Sequence, residues 1–99
     1  MTSIVYTDHA RRRMSQRGIA RDMIRQTLQY GTCYYRQGYQ FYVIRNKDLP
    51  ASMPPQQQDR LRNLTVVVHQ APDCEFAVIT AYRSDRAASK IRRKSKKLL

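Results

Sequence analysis

Gly18 and Gly31 constrain the fold of this chain more than any other feature, because each follows a stretch with helical spacing of apolar residues. A glycine readily adopts the left-handed conformation that ends an α-helix. The spacing predicts a first helix over residues 9–17 and a second over about 20–30, with Gly31 ending the second in the same way as Gly18 ends the first. The apolar side of the second helix contains Met23, Ile24, Thr27 and Leu28.

After Gly31 the apolar pattern changes from helical spacing to the spacing of β-strands. Residues 33–44 form two aromatic and β-branched runs separated by Gln37 and Gly38, which predicts a hairpin. Residues 64–70 and 75–83 predict two more strands, joined by a turn at Ala71-Pro72-Asp73. The sequence therefore predicts an α+β fold, with two N-terminal helices packed on an antiparallel sheet of about four strands.

The remaining segments lack a clear period. Residues 3–7 are compatible with a short additional edge strand. Residues 45–63 are rich in proline and glutamine, which predicts a long loop. We expect one domain over residues 1–83, followed by a basic tail over 84–99 that is either a helix or an arm that orders on binding.

Charge restricts the class of partner. The chain of 99 residues has a formal net charge of +12, which predicts a polyanionic partner such as RNA rather than a basic protein without one. No apolar run is long enough to span a membrane and no signal peptide is recognisable, so we expect a cytoplasmic protein without a membrane partner. The candidate nucleic-acid-binding residues concentrate near the C-terminus: Arg83, Arg86, Lys90, Arg92, Arg93, Lys94, Lys96 and Lys97.

The first predicted helix carries a candidate site for phosphate chemistry. Asp8, or Thr7 before it, can cap this helix, and His9, Arg13 and Arg17 follow at intervals of four residues and share one face. Histidine transfers protons near neutral pH, and arginine holds phosphate oxygens and stabilises developing negative charge. A solvated arginine face beside a structural histidine explains the same spacing, and on spacing alone it is the better interpretation.

The last predicted strand offers further candidates. Alternation places Phe76, Val78, Thr80 and Tyr82 on one side of it, so Thr80 and Tyr82 can project together towards a substrate. A core-edge tyrosine beside an ordinary strand threonine is an equally good interpretation. His69, in an apolar run, is a secondary acid or base candidate. For most of the tyrosines, packing within the sheet is the favoured interpretation.

Several chemistries are disfavoured by what the sequence lacks. Glu75 is the single glutamate and the aspartates form no metal-ligand pattern, which disfavours two-metal nuclease and paired-carboxylate mechanisms. Cys33 and Cys74 have no zinc-ligand spacing, so two reduced thiols are favoured, with a disulfide left open. We expect no cofactor and no metal. A nuclease of this composition would use the RNA 2′-hydroxyl as an internal nucleophile.

The stretch HARRRMSQRGI resembles the start of a family of small bacterial and phage domains of unknown function, with the pattern T-x-HA-x-x-RM-x-x-RGI. The matching residues are Thr7, His9, Ala10, Arg13, Met14, Arg17, Gly18 and Ile19, followed by Gly31 and by Val78, Thr80 and Tyr82. This family is similar in layout to the RelE, ParE and BrnT toxins. The resemblance implies a toxin of a toxin–antitoxin pair or a related ribonuclease-like module, with His9, Arg13, Arg17, Thr80 and Tyr82 as candidate site residues.

Three functional hypotheses follow. The first is a metal-independent endoribonuclease-like toxin that acts on RNA, in some cases on the ribosome, and is paired with an acidic antitoxin. The second is a non-catalytic nucleic-acid- or ribosome-binding module held by the basic tail and the arginine face. The third is a toxin or regulator whose loop and sheet edge bind a protein.

Overall fold

The computed structural model describes residues 3–70 and 75–84. The predicted turn at 71–73, Cys74 and the basic residues beyond Ser84 therefore lie outside the described part of the chain. The elements in chain order are β1 (Ile4–Tyr6), α1 (Asp8–Arg17), α2 (Arg21–Tyr30), β2 (Thr32–Arg36), β3 (Tyr39–Val43), a 3-10 turn (Asn46–Asp48), α3 (Pro55–Leu61), β4 (Leu64–Gln70) and β5 (Phe76–Arg83).

The strands form one 5-stranded sheet in the order β1-β5-β4-β3-β2. The pairs β2–β3, β3–β4 and β4–β5 are antiparallel. The hairpin between β2 and β3 turns at Gln37 and Gly38, which both have positive φ. β1 adds to β5 in parallel. The α+β class is confirmed, but the sheet is mixed rather than antiparallel, and its fifth strand is the short edge strand with which residues 3–7 are compatible. A parallel neighbour is possible because the two helices and the rest of the sheet separate β1 from β5 in the chain.

The expectation that residues 45–63 form a loop without regular structure is wrong, because α3 lies within this segment. Pro54 and Pro55 precede and begin α3, where the missing N–H of proline costs nothing. Gln58 Nε2 donates to the Met53 carbonyl at 2.8 Å, and Leu61 is completely buried. A helix of 7 residues with one buried side chain has no period that sequence inspection could detect.

All three helices cover the same face of the sheet. The buried cluster between the two layers combines residues of α1, α2 and α3 with alternate residues of β4 and with two residues of β5. Its members on these elements are Ala10, Met14, Met23, Ile24, Leu61, Leu64, Val66, Val68, Val78 and Ala81.

The two glycines that follow α1 and α2 act differently. Gly18 is left-handed, with φ 65°, as predicted. Gly31 has φ −69° and ψ 156°, so the prediction of a second left-handed stop is wrong. A Cβ at this position would lie 2.6 Å from the Thr27 carbonyl oxygen and 3.2 Å from the Val43 carbonyl oxygen, which is too close for a carbon atom. Gly31 is therefore needed for the close approach of α2 to β3.

Candidate nucleic-acid interface

A bulge in β5 decides where the candidate residues of this strand point. Val67 of β4 pairs with Thr80, and Val68 pairs with Val78, so Ile79 is an extra residue in β5. Because of this insertion, Val78 and Ala81 both belong to the core under the helices. The prediction that Val78, Thr80 and Tyr82 share one side of the strand is wrong, since strict alternation stops at the bulge.

Thr80 and Tyr82 lie on the sheet face opposite the helices. Thr80 pairs with Val67 and Tyr82 pairs with Thr65, and both β4 residues alternate with the core residue Val66. Cross-strand partners point to the same face of a sheet.

Thr7 connects the start of α1 to the bulge. Its Oγ1 accepts a hydrogen bond from the Ala10 backbone N–H at 3.0 Å, which makes Thr7 rather than Asp8 the N-cap. The same hydroxyl donates to the Ile79 carbonyl at 3.3 Å, and the Thr7 N–H donates to the Val78 carbonyl at 3.1 Å. The first residue of the family pattern is therefore structural.

Most other residues of that pattern also have structural roles. Ala10, Met14 and Ile19 are buried in the core. Gly18 ends α1, as described above. Arg17 Nη1 donates to the Ala81 carbonyl at 2.8 Å, which fastens the last turn of α1 to β5. Arg17 thus makes one hydrogen bond that positions α1, while the residue itself stays exposed.

His9 and Arg13 are the residues of the first block without such a role. The His9 side chain is exposed and makes no hydrogen bond or ion pair within the described residues. Arg13 is half-buried, and its Nη1 donates to Gln16 Oε1 at 3.3 Å on the surface of α1. These two side chains are available to a ligand, one helical turn apart.

The predicted five-residue site is therefore divided between two places. His9, Arg13 and Arg17 belong to α1 in the helical layer, whereas Thr80 and Tyr82 lie on the opposite face of the sheet. His69 lies on the same sheet face as Thr80 and Tyr82, because it alternates with Val67 on β4, and its ring stands edge-on to that of Tyr39 with centroids 5.9 Å apart.

The face that holds Thr80 and Tyr82 also carries an arginine that the sequence analysis missed. Arg36 alternates with Tyr34 on β2, and Tyr34 pairs with Phe41 in the same strand row as Thr80. We call Tyr34, Arg36, Phe41, Thr80 and Tyr82 the aromatic face. The alternation in β2 was the signal that could have identified Arg36. Burial raises the pKa of Tyr82, and the charge of Arg36 acts in the opposite direction.

A second basic surface lies on the first two helices. Between described residues, the ion pairs join Arg45 to Asp48, Arg60 to Asp22 and Arg62 to Asp59. The arginines of α1 and α2 belong to none of these pairs, and Arg21 instead stacks 5.1 Å from the ring centre of Tyr6. We call this set the arginine surface: Arg11, Arg12, Arg13, Arg17, Arg21 and Arg25.

Other candidate chemistry is sparse in residues 3–70 and 75–84. This part of the chain contains no cluster of three histidine, cysteine or carboxylate side chains that could hold a metal ion. Cys33 is a free thiol. Burial raises its pKa, and hydrogen bonds with Tyr42 and Tyr35 lower it by less. The helices among these residues are too short and too polar to cross a membrane.

The model of a domain of unknown function, DUF4258, matches residues 6–83. The chain belongs to this family. The match runs from the end of β1 to the end of β5 and leaves the basic tail outside it. Predicted membership of a family of unknown function is thereby confirmed. No curated protein and no solved structure matches the chain, so the similarity to RelE, ParE and BrnT toxins stays a prediction.

Proposed function

We propose that this DUF4258 protein binds RNA and that the arginine surface of α1 and α2 makes the main phosphate contacts. The observation that carries the proposal is that these arginines form no ion pair with a described carboxylate, in a chain of net charge +12. Unpaired guanidiniums on one pair of helices attract a polyanion and bind its phosphates in a bidentate manner. Asp8 and Asp22 are the acidic residues of these helices, and Asp22 is already paired with Arg60.

The basic tail would add to this attraction. Apart from Arg83, the basic residues predicted to bind nucleic acid lie beyond Ser84, outside the described part of the chain. Arg83 itself is tied to the segment before β4, because its Nη1 donates to the Arg60 carbonyl at 2.8 Å. We therefore assign Arg83 mainly to the fold and the later residues of the tail to long-range attraction.

The salt dependence of binding tests this proposal. The affinity of the full chain for a labelled single-stranded RNA would be measured by fluorescence anisotropy between 50 and 300 mM NaCl with EDTA present. Removing two arginine–phosphate contacts reduces the magnitude of the slope of log affinity against log salt concentration by about 1.4 for a single strand. We expect that change for the double variant Arg11→Gln/Arg12→Gln.

The matched control is Arg60→Gln/Arg62→Gln, which removes the same charge from exposed arginines that have acidic partners. We expect a much smaller change of slope for this pair. Absence of RNA binding by the unaltered protein would refute the proposal, and equal slopes for both double variants would refute the assignment to α1.

A metal-independent endoribonuclease is a second candidate function, favoured by the side chain of His9, which is exposed, lies one helical turn from Arg13 and has no partner among the described residues. In this mechanism His9 takes the proton of an RNA 2′-hydroxyl and the 2′-oxygen attacks the adjacent phosphorus. The P–O5′ bond breaks, the leaving oxygen takes a proton from solvent, and a 2′,3′-cyclic phosphate remains. Arg13 would stabilise the charge that develops on the phosphate. An acidic antitoxin partner would favour this candidate and the protein-directed toxin over the binding module.

Cleavage of labelled RNA in EDTA distinguishes the two functions. The enzyme hypothesis predicts that His9→Gln stops cleavage while RNA affinity stays within about twofold. His69→Gln is the matched control, because it removes the other histidine of the chain, which stands on β4 rather than on α1. Cleavage that persists in His9→Gln would contradict this role, whereas binding without cleavage in every protein would leave the binding function alone.

A further inference from the structure

The aromatic face combines a stacking surface with an unpaired positive charge. Tyr34, Phe41 and Tyr82 pack around the buried side chain of Val43, and this cluster contains strand residues only. All three helices pack against the other side of the sheet. Rings on neighbouring strands form a surface on which planar groups can stack.

Arg36 lies on this side of the sheet, because it alternates with Tyr34 on β2. It stands on β2, an edge strand, whereas Tyr82 stands on β5, three strands away in the sheet. Burial raises the pKa of Tyr82, and the positive charge of Arg36 lowers it by less. The Arg36 Nε is buried and has no hydrogen-bond partner among the described residues.

A second polar atom on the same side of the sheet lacks a partner. Thr65 pairs with Tyr82 and is completely buried, and its Oγ1 makes no hydrogen bond to any described residue. Unbonded polar atoms under a folded surface are costly, and they are common where a ligand or water completes the hydrogen bonds. Arg36 and Thr65 give this face two such atoms among its aromatic rings.

We propose that the aromatic face binds single-stranded RNA, with a base stacked on Tyr34 or Phe41 and the adjacent phosphate held by Arg36. This inference rests on the proposed RNA-binding function and identifies the strand state of the ligand. It also adds Tyr34, Arg36 and Phe41 to the site residues.

Charge and shape together select this occupant. The cross-strand rows that contain the aromatic face include no acidic side chain, so an unpaired guanidinium there favours an anionic ligand over an apolar peptide. The chain's own tail carries the same sign of charge as Arg36 and is a poor complement for it. A duplex keeps its bases inside the helix, whereas a single strand can present a base for stacking and a phosphate for the arginine.

The experiment compares one RNA sequence in single-stranded and in duplex form, with inorganic polyphosphate as a probe of charge alone. Full-length Arg36→Gln and Tyr34→Leu would be measured beside the unaltered protein. We expect about a tenfold loss of single-strand affinity for Arg36→Gln and about a fivefold loss for Tyr34→Leu. Duplex affinity should change by less than about twofold in both.

Matched controls keep the outcomes separate. Tyr35→Leu removes a ring that is 72% exposed from the position next to Tyr34, and Arg62→Gln removes an arginine that is paired with Asp59. Circular dichroism would confirm that each variant is folded. Neither control should reduce the preference for the single strand.

Each result decides one of the two proposals. Loss of single-strand affinity confined to the Arg36 and Tyr34 variants supports the inference. Unchanged affinity in folded variants overturns it and leaves the arginine surface as the RNA site. Failure of the unaltered protein to bind any RNA overturns the proposed function itself.

Discussion

Replacing Thr7 by valine should lower the free energy of unfolding of the domain without changing the charged and aromatic side chains of its surface. The Thr7 hydroxyl accepts from the Ala10 N–H at 3.0 Å and donates to the Ile79 carbonyl at 3.3 Å. Loss of an N-cap costs about 1 kcal/mol, and loss of the second hydrogen bond costs about 1 kcal/mol more. Valine keeps the shape of threonine, so the expected loss of about 2 kcal/mol arises from the two hydrogen bonds.

Urea and thermal unfolding followed by circular dichroism measure this loss. For a domain of this size, about 2 kcal/mol corresponds to a Tm lower by roughly 8–16 °C. Thr7→Ser keeps the hydroxyl and should lose less than about 0.5 kcal/mol. If Thr7→Val were as stable as the unaltered protein, the structural explanation for the first residue of the family pattern would be wrong.

Three further changes test the packing of the helices and the electrostatics of the sheet. Gly31→Ala should lower the free energy of unfolding by about 2–3 kcal/mol, because the added Cβ would lie 2.6 Å from a backbone oxygen. Gly18→Ala should lower it by about 1 kcal/mol, because the site has open space but a φ of +65°. Equal urea midpoints for the two variants would contradict this difference. Leu61→Ala should cost about 2–5 kcal/mol in the same assay because Leu61 is fully buried, and exposed Gln57→Ala should be nearly neutral. Burial raises the pKa of Tyr42 from 10 to about 12, so the protonated side chain stabilises the fold fully below pH 10 and this stability is lost as the pH rises towards 12. Between pH 9 and pH 11 the free energy of unfolding of Tyr42→Phe, measured by urea unfolding, should therefore fall by less than that of the unaltered protein. An equal fall in both proteins would contradict the raised pKa of Tyr42.

Local sequence patterns were sufficient where each element has its own signal. The apolar spacing before Gly18 predicted α1, and the paired aromatic runs around Gln37 and Gly38 predicted the hairpin. The same reasoning missed α3, since its proline start and single buried leucine resemble a loop. It also misjudged Gly31, because a close approach between a helix and a strand has no local signature.

The candidate site was predictable only in part. Residues of α1 were correctly placed on one helix, and Thr80 and Tyr82 were correctly placed on one side of β5. Their combination into one site stays a prediction, and the structure places the two groups in different layers. Arg36 was not predicted as a site residue, because its electrostatic effect is on Tyr82, which lies far away in the sequence.

The sequence by itself determined the α+β class, the ends of α1, the hairpin and the excess of positive charge, because these properties depend on residue type and on neighbours within a few positions. Only the tertiary structure decided which side chains meet. One inserted residue in β5, held by Thr7, brings Val78 and Ala81 to the same face and turns Tyr82 away from α1. A bulge depends on the register between strands, and register is set by packing across the sheet.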